Sequence, residues 1–165
     1  MPQQPFAIEL LDAHDRTAFD CGVEPLDRYF KTQVGQGARR RVTACYVARE
    51  IATGAIAGYY TLAAGSVLLS GMPPNLAKKL PRYPDVLAAR LGRLAVDRNF
   101  QGMKLGGSLL WDAIERARRS EVAVYALVVD AKDDVAVAFY EHHGFAMLSA
   151  AQRLLILPLG KPKKT

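Results

Sequence analysis

The chain has 165 residues, half of them hydrophobic, which suits one domain with a real core. Charged residues interrupt every apolar run before it reaches the roughly 18 to 20 residues of a membrane span, and the N-terminus MPQQPFAIELLDAHD lacks the basic-then-apolar order of a secretory signal; a cytoplasmic protein with no membrane partner is expected. The formal net charge is +6, with the excess gathered in ARRR at 38–41, KKLPR at 78–82, RARR at 116–119 and KPKK at 161–164, a pattern that suits an anionic partner and, for any one cluster, equally a solvated face.

Helical period appears first in EPLDRYFKTQV, where Leu26, Tyr29, Phe30, Gln33 and Val34 share a face and Pro25 suits the first helical position; this predicts a helix ending near Gly35 or Gly37. VTACYVARE from Val42 alternates, and after Thr53 and Gly54 the run AIAGYYTLAAGSVLL reads as a longer strand hairpinned to it. MPPNLAKKLPRYP, broken by prolines, predicts an exposed loop with at most one short turn. AARLGRLAV, 88–96, predicts a buried strand. A glycine turn follows it, then a helix with Leu105, Leu109, Ala113 and Ala117 on one stripe beside Leu110 and Ile114. VAVYALVVD at 122–130 predicts a strand, DDVAVAFYEHHG a helix opened by Asp133 or Asp134 and closed by Gly144, and RLLILPL a last strand. A basic tail from about 160 to 165 is expected to fray. No repeat interrupts the pattern, so a single α/β domain over 1–165 is expected.

Cys21 and Cys45 have neither CxxC nor metal-ligand spacing, and free thiols are expected. His14 is isolated, and no His/Cys/Asp cluster has ligand spacing, so no metal is expected. His142 and His143 fall in the last turn before Gly144, where histidine favours the helix C-terminus, and their predicted role is structural.

The turn RNFQGMKLGGSLL carries the chemical question. A helix N-terminus offers unpaired N–H groups and partial positive charge to a phosphate, and Gly102, Gly106 and Gly107 let a ligand approach the backbone. Neither the Walker loop nor the dinucleotide fingerprint is present. On spacing alone, a purely conformational role for these glycines stays open.

QGMKLGG, 101–107, resembles the R/Q-x-x-G-x-G/A signature of the GNAT family of N-acetyltransferases, with Lys104 where the signature has its first glycine. The resemblance implies the GNAT fold, a mixed central sheet with a splayed, bulged fourth strand flanked by helices. It also implies acetyl-CoA as cosubstrate, held by Gln101, Gly102, Lys104, Gly106, Gly107 and Ser108, with Lys104 offering its amide, its ammonium or both. A bulge near Leu94, Ala95 and Val96 is implied, aiming a backbone N–H at the thioester oxygen. VAFYEHHGF, 137–145, is similar to the family segment that places a tyrosine near the coenzyme sulfur, which makes Tyr140 the implied general acid. FDCGVEPLDRYF at 19–30, IAGYYTLAAGSV at 56–67 and GRLAVDRNFQGMKLGGSLLWDA at 92–113 resemble the acetyltransferase toxins of type II toxin–antitoxin pairs. That branch implies acetylation of the α-amine of aminoacyl-tRNA, a block on translation, a ribbon-helix-helix antitoxin and a homodimer.

The chemistry is consistent with that branch. A phenol at about pKa 10 can protonate a thiolate whose conjugate acid lies near 8.5. No carboxylate is motif-placed as a base. A lysine amine near 10.4 would need one more than an α-amine near 7.7 to 8 does. Water, Glu141, Asp97 or a strand glutamate would relay the proton. If tRNA is the partner, Arg39, Arg40, Arg41, Lys78, Lys79, Arg82 and Arg93 are expected to hold its phosphates. Arg93 has an alternative use in a buried carboxylate pair, and the basic surface an alternative occupant in an acidic antitoxin tail. Two other functions stand beside this one: the same fold acting on a protein N-terminus, a lysine or a small-molecule amine, and a coenzyme-binding protein without turnover.

Overall fold

The computed structural model describes residues 5–160, so the KPKK cluster and all of the expected basic tail beyond Gly160 lie outside the described residues. In chain order the elements are β1 (Phe6–Leu10), α1 (Glu24–Thr32), α2 (Val34–Arg39), β2 (Ala44–Glu50), β3 (Ile56–Leu68), α3 (Pro74–Ala77), β4 (Asp85–Val96), α4 (Leu105–Arg118), β5 (Ala126–Asp130), α5 (Asp134–His142), β6 (Ala146–Ser149) and β7 (Leu154–Pro158). The strands are hydrogen-bonded in the order β1-β2-β3-β4-β5-β7-β6. Pairing is antiparallel for β1–β2, β2–β3, β5–β7 and β6–β7. It is also antiparallel for β3–β4, where Ala57 meets Asp97, Thr61 meets Arg93 and β3 ends opposite Pro84. β4–β5 is parallel, from Ala88↔Ala126 to Leu91↔Val129.

The chain forms two compact units, Met1–Ala63 with Gly92–Ala113, and Ala64–Leu91 with Ile114–Thr165. The core of the first is aromatic: Phe30 stacks on Tyr59 with centroids 4.3 Å apart, and Phe19 meets both rings edge-on. The Tyr59 hydroxyl donates to the carbonyl of Leu26 at 2.8 Å, so α1 is fixed by its backbone as well as by Phe30. Gly58 is required beside this core, because a Cβ there would lie 2.8 Å from Leu109 Cδ1 and 2.9 Å from the Ala95 carbonyl. The second core gathers Val67, Met72, Val86, Ala88, Ala126, Val128 and Ile156. Leu105, Leu109, Leu110, Ala113, Ile114 and Ala117 are all buried, as the stripe on α4 predicts. No helix among the described residues is long and apolar enough to cross a membrane.

Three boundaries and two short strands differ from the sequence reading. The helix expected from Pro25 breaks at Gln33, whose φ of −120° is not helical; Gly35 and Gly37 just beyond hold a helix weakly, so the chain restarts as α2. β4 begins at Asp85, directly after the proline-rich stretch and ahead of the expected start at Ala88, because Tyr125 N–H donates to the Leu87 carbonyl and draws that segment into the sheet. β5 begins only at Ala126, leaving Val122 exposed in a loop. β1 and β6, of five and four residues, are too short to show a period and are held by their partners.

Candidate active site

The turn after β4 is held by side chains committed to backbone. Asp97 is buried; its Oδ1 accepts the Asn99 N–H at 2.9 Å and its Oδ2 the Asp20 N–H at 3.0 Å. With each oxygen accepting a backbone N–H, Asp97 clamps the turn. Gln101 Nε2 donates to the carbonyls of Cys21 at 3.2 Å and Val96 at 3.0 Å. Its side chain therefore shapes the turn. Gly102 turns the chain at φ +83°, with open space where a Cβ would sit.

Lys104 is the residue on which α4 opens. Its carbonyl accepts the Ser108 N–H at 3.3 Å, the first bond of the helix, and the Ser108 hydroxyl at 3.4 Å. The N–H groups of Leu105, Gly106 and Gly107 precede that bond and have no intrahelical partner, and lysine has no side-chain oxygen to cap them. Three open amides, the positive end of a 14-residue helix and an exposed ammonium with no carboxylate partner among the described residues make a cradle suited to a diphosphate. Lys104 also sits at φ +62°, in the left-handed region that glycine enters without cost. This explains why the family signature carries glycine here, a reason the sequence alone did not reveal.

β4 continues past its last pair with β5 through Gly92–Val96. Gly92 and Arg93, just before the Leu94–Val96 segment, are both exposed. There the Arg93 N–H donates to the Thr61 hydroxyl at 3.0 Å, and a Cβ on Gly92 would lie 2.8 Å from that same oxygen. Leu94 and Val96 are half-buried and Ala95 buried. The Arg93 guanidinium lies 3.5 Å from the centroid of the Tyr29 ring and has no carboxylate partner among the described residues. The buried ion pair expected as one alternative for Arg93 is therefore replaced by stacking on an aromatic face, an arrangement guanidinium favours.

Tyr140 lies in the second unit, on α5, between Phe139 and Phe145, with ring centroids at 5.2 and 5.5 Å. It is 7% exposed, and burial pushes its phenol up to about 12. Its hydroxyl bonds no group among the described residues, although no buried side-chain oxygen is left unpartnered. The oxygen therefore reaches solvent at the end of an otherwise buried ring and keeps its proton throughout the physiological range. Asp133 caps α5 by accepting the Ala136 N–H at 2.8 Å. His143 Nδ1 pairs with the Phe139 carbonyl at 2.8 Å, the structural use expected at this helix end. Glu9 is held by Arg49 and His14, and Glu50 by Thr53, so neither strand glutamate is free to act as a base.

Two groups stand out among the basic residues. Arg28, Arg49, Arg90, Arg98, Arg118, Arg119 and Arg153 each pair with a carboxylate. Arg39, Arg40, Arg41, Lys78, Lys79 and Arg82 are exposed with no such partner among the described residues, three in the first unit and three in the second. No group of three or more His, Cys, Asp or Glu among the described residues could hold a metal.

Residues 9–145 match the sequence profile of the acetyltransferase (GNAT) family. This chain belongs to that family. The matched span contains the α4 cradle, Gly92–Val96 and Tyr140, so the elements described above are those of an acetyltransferase. Over 136 residues, 81% of this chain and 80% of the relative, it is 36% identical to a tRNA-acetylating toxin of Mycobacterium tuberculosis (strain ATCC 25618 / H37Rv). The structure of AtaT complexed with acetyl-methionyl-tRNAfMet superposes with a TM-score of 0.85 at 29% identity, covering 93% of this chain and 94% of that one. A mutant AtaT toxin bound to the C-terminus of the antitoxin AtaR and acetyl-CoA gives a TM-score of 0.79 at 25% identity, covering 94% of each chain.

Proposed function

We propose that the chain is one acetyltransferase domain over 1–165 and the toxin of a type II toxin–antitoxin pair, moving the acetyl group of acetyl-CoA onto the α-amine of aminoacyl-tRNA and so blocking translation in the cytoplasm. The observation that carries this reading is the 36% identity, across four-fifths of the chain, to a protein named for acetylating tRNA. The likeness to AtaT holding acetyl-methionyl-tRNA supports the same substrate class. AtaT bound to the C-terminus of AtaR supports control by an antitoxin, for which a ribbon-helix-helix protein is the proposed type. A homodimer is the proposed assembly, tested by sedimentation equilibrium.

Each residue then has a role. The open amides of Leu105, Gly106 and Gly107, with Gly102 and the Lys104 ammonium, hold the pyrophosphate of acetyl-CoA, while Gln101 and Asp97 keep the turn in shape. A backbone N–H of Leu94–Val96 stabilises the thioester oxygen as it gains charge. The α-amine attacks in its neutral form, roughly a tenth of the total at neutral pH because its pKa is about 7.7 to 8 and far more than a lysine supplies. The C–N bond forms and the C–S bond breaks; the thiolate takes the phenolic proton of Tyr140, which is restored from solvent as the new amide releases its surplus proton to water. An apolar setting that raises the phenol also raises the thiol, so the two stay matched as donor and acceptor. The unpaired Arg39, Arg40, Arg41, Lys78, Lys79 and Arg82, with Arg93 on its aromatic support, neutralise RNA phosphates, and binding weakens as salt rises.

The test incubates the protein and its Tyr140→Phe variant with labelled acetyl-CoA and a pool of charged tRNA. Label that enters RNA only with Tyr140 present, and leaves as acetyl-amino acid on alkaline deacylation, is the expected result. Transfer to a protein N-terminus, a lysine or a small amine instead, with coenzyme bound normally, would overturn the tRNA reading.

A further inference from the structure

A second binding feature lies in the other compact unit. Segment 69–84 lays its apolar side chains, Leu69, Met72, Leu76, Ala77 and Leu80, against the core of Val67, Val86 and Ile156. Lys78, Lys79, Arg82 and Tyr83 are left facing solvent. The end of this segment and the end of β3 enclose a shallow cleft of ≈ 490 Å³ lined by Leu68, Leu69, Ser70, Arg82, Tyr83 and Pro84, closed at its base by the Leu69 N–H to Pro84 carbonyl bond at 2.9 Å. Leu68 is 60% exposed and Tyr83 70%. Pro84 restricts Tyr83 to extended backbone, so the ring is presented from a stiffened position.

An aromatic ring this exposed contributes little to folding, and its neighbours define what it suits. The cleft wall is apolar, while Arg82 on its rim and Lys78 and Lys79 upstream have no carboxylate partners among the described residues. An apolar protein segment seated here would cover cations without answering their charge. A single-stranded nucleic acid answers both features, with a π face for the tyrosine and phosphates for the cations.

Resting on the tRNA reading above, we propose that Tyr83 is a stacking platform for an unpaired base in the single-stranded 3′ end of the RNA, with Arg82 on the adjoining phosphate. Base stacking is tolerant of sequence, so this contact secures the strand end whatever amino acid it carries. Arg82 acts as a charge and Tyr83 as a surface, and the two are separable by experiment.

The test measures fluorescence anisotropy with two RNA hairpins of the same acceptor-stem sequence, one ending in a single-stranded CCA overhang and one blunt. The wild-type protein is expected to bind the overhang about tenfold tighter, within the range stacking one base supplies. Tyr83→Ala is expected to erase that difference and leave blunt binding unchanged. Tyr83→Phe and Tyr83→Trp should retain the difference, since the ring and not the hydroxyl is used, and both guard against an effect of truncation on folding. Arg82→Gln should weaken binding of the overhang hairpin and flatten its salt dependence, which Tyr83→Ala leaves unchanged. An overhang preference that survives Tyr83→Ala, or equal wild-type binding of the two hairpins, would overturn this proposal alone. Wild-type protein that binds neither hairpin would overturn the tRNA reading with it. A change in sedimenting mass in Tyr83→Ala with RNA binding intact would assign the surface to protein contact and refute base stacking.

Discussion

Replacing Lys104 by glycine and by alanine separates two effects of one residue. At φ +62° a residue with a Cβ is held in the left-handed region, where the crowding of Cβ against the following carbonyl costs about 1–2 kcal/mol. Glycine removes that cost but adds freedom to the unfolded chain worth about 0.4–1 kcal/mol. The net expectation for Lys104→Gly is a stabilisation of about 0.5–1 kcal/mol, or roughly 1–4 °C in Tm for a chain this long. Lys104→Ala keeps the strained backbone and should leave Tm within about a degree of wild type by the same reasoning. Both substitutions remove the ammonium from the mouth of α4. A unit charge about 4 Å from a phosphate in water contributes about 1 kcal/mol, so both should weaken acetyl-CoA binding about fivefold. Thermal denaturation of the free protein and calorimetric titration with acetyl-CoA read the two quantities independently. If glycine and alanine variants melt together, the strain argument is wrong; if neither loses affinity, the ammonium does not serve the pyrophosphate.

Tyr140→Phe should lower kcat about 10²- to 10⁴-fold, the span of general acid–base catalysis, with the KM for acetyl-CoA little changed. Its Tm should not fall, since the hydroxyl has no bond to lose; a large loss of stability would show the phenol to be structural. Gly58→Ala forces Leu109 and the Ala95 carbonyl apart and should destabilise by about 1–3 kcal/mol, which urea denaturation measures against an unchanged m-value. Cys21 and Cys45 are buried free thiols pushed up to about 11 and about 12, and Tyr140 to about 12. Each folded-state pKa lies above its unfolded value, near 8.5 for thiols and 10 for tyrosine, so their contribution is complete below about pH 8.5 and is lost as pH climbs toward 12. Melting temperature should hold to about pH 8.5 and then fall, and a flat profile to pH 12 would contradict this.

Most of the element order was legible because its signals are local and repeated. The α4 stripe, the Asp133 cap, the closing Gly144 and the paired runs of β2 and β3 each announce a period or a punctuation mark. β1 and β6 were not legible, since a short strand is defined by the partner it bonds. The candidate site divides the same way. Tyr140 and the glycine turn stand out through spacing and family pattern, but the work of Asp97 and Gln101 depends on contacts with Asp20 and Cys21 that no local pattern records. The left-handed backbone at Lys104 and the stacking of Arg93 on Tyr29 are likewise products of tertiary placement. Asp97 is the instructive case: the sequence offers it as one of several proton relays, and only the fold shows that its two oxygens brace the turn through backbone N–H groups.

The lacing of 20–22 to 97–101 has a thermodynamic consequence. Asp20 N–H to Asp97, Arg98 N–H to the Asp20 carbonyl at 2.8 Å, Arg98 Nε to Asp20 Oδ1 at 3.2 Å and Gln101 to the Cys21 carbonyl tie together two segments nearly eighty positions apart. A ligand that quiets the turn at one end of these bonds must also quiet the loop at the other, by the reciprocity of linked equilibria. In hydrogen exchange, the amides of Asp20 and Arg98 should therefore slow together on adding coenzyme. Loosening the loop from its own side should cost coenzyme affinity without touching a single atom of the cradle.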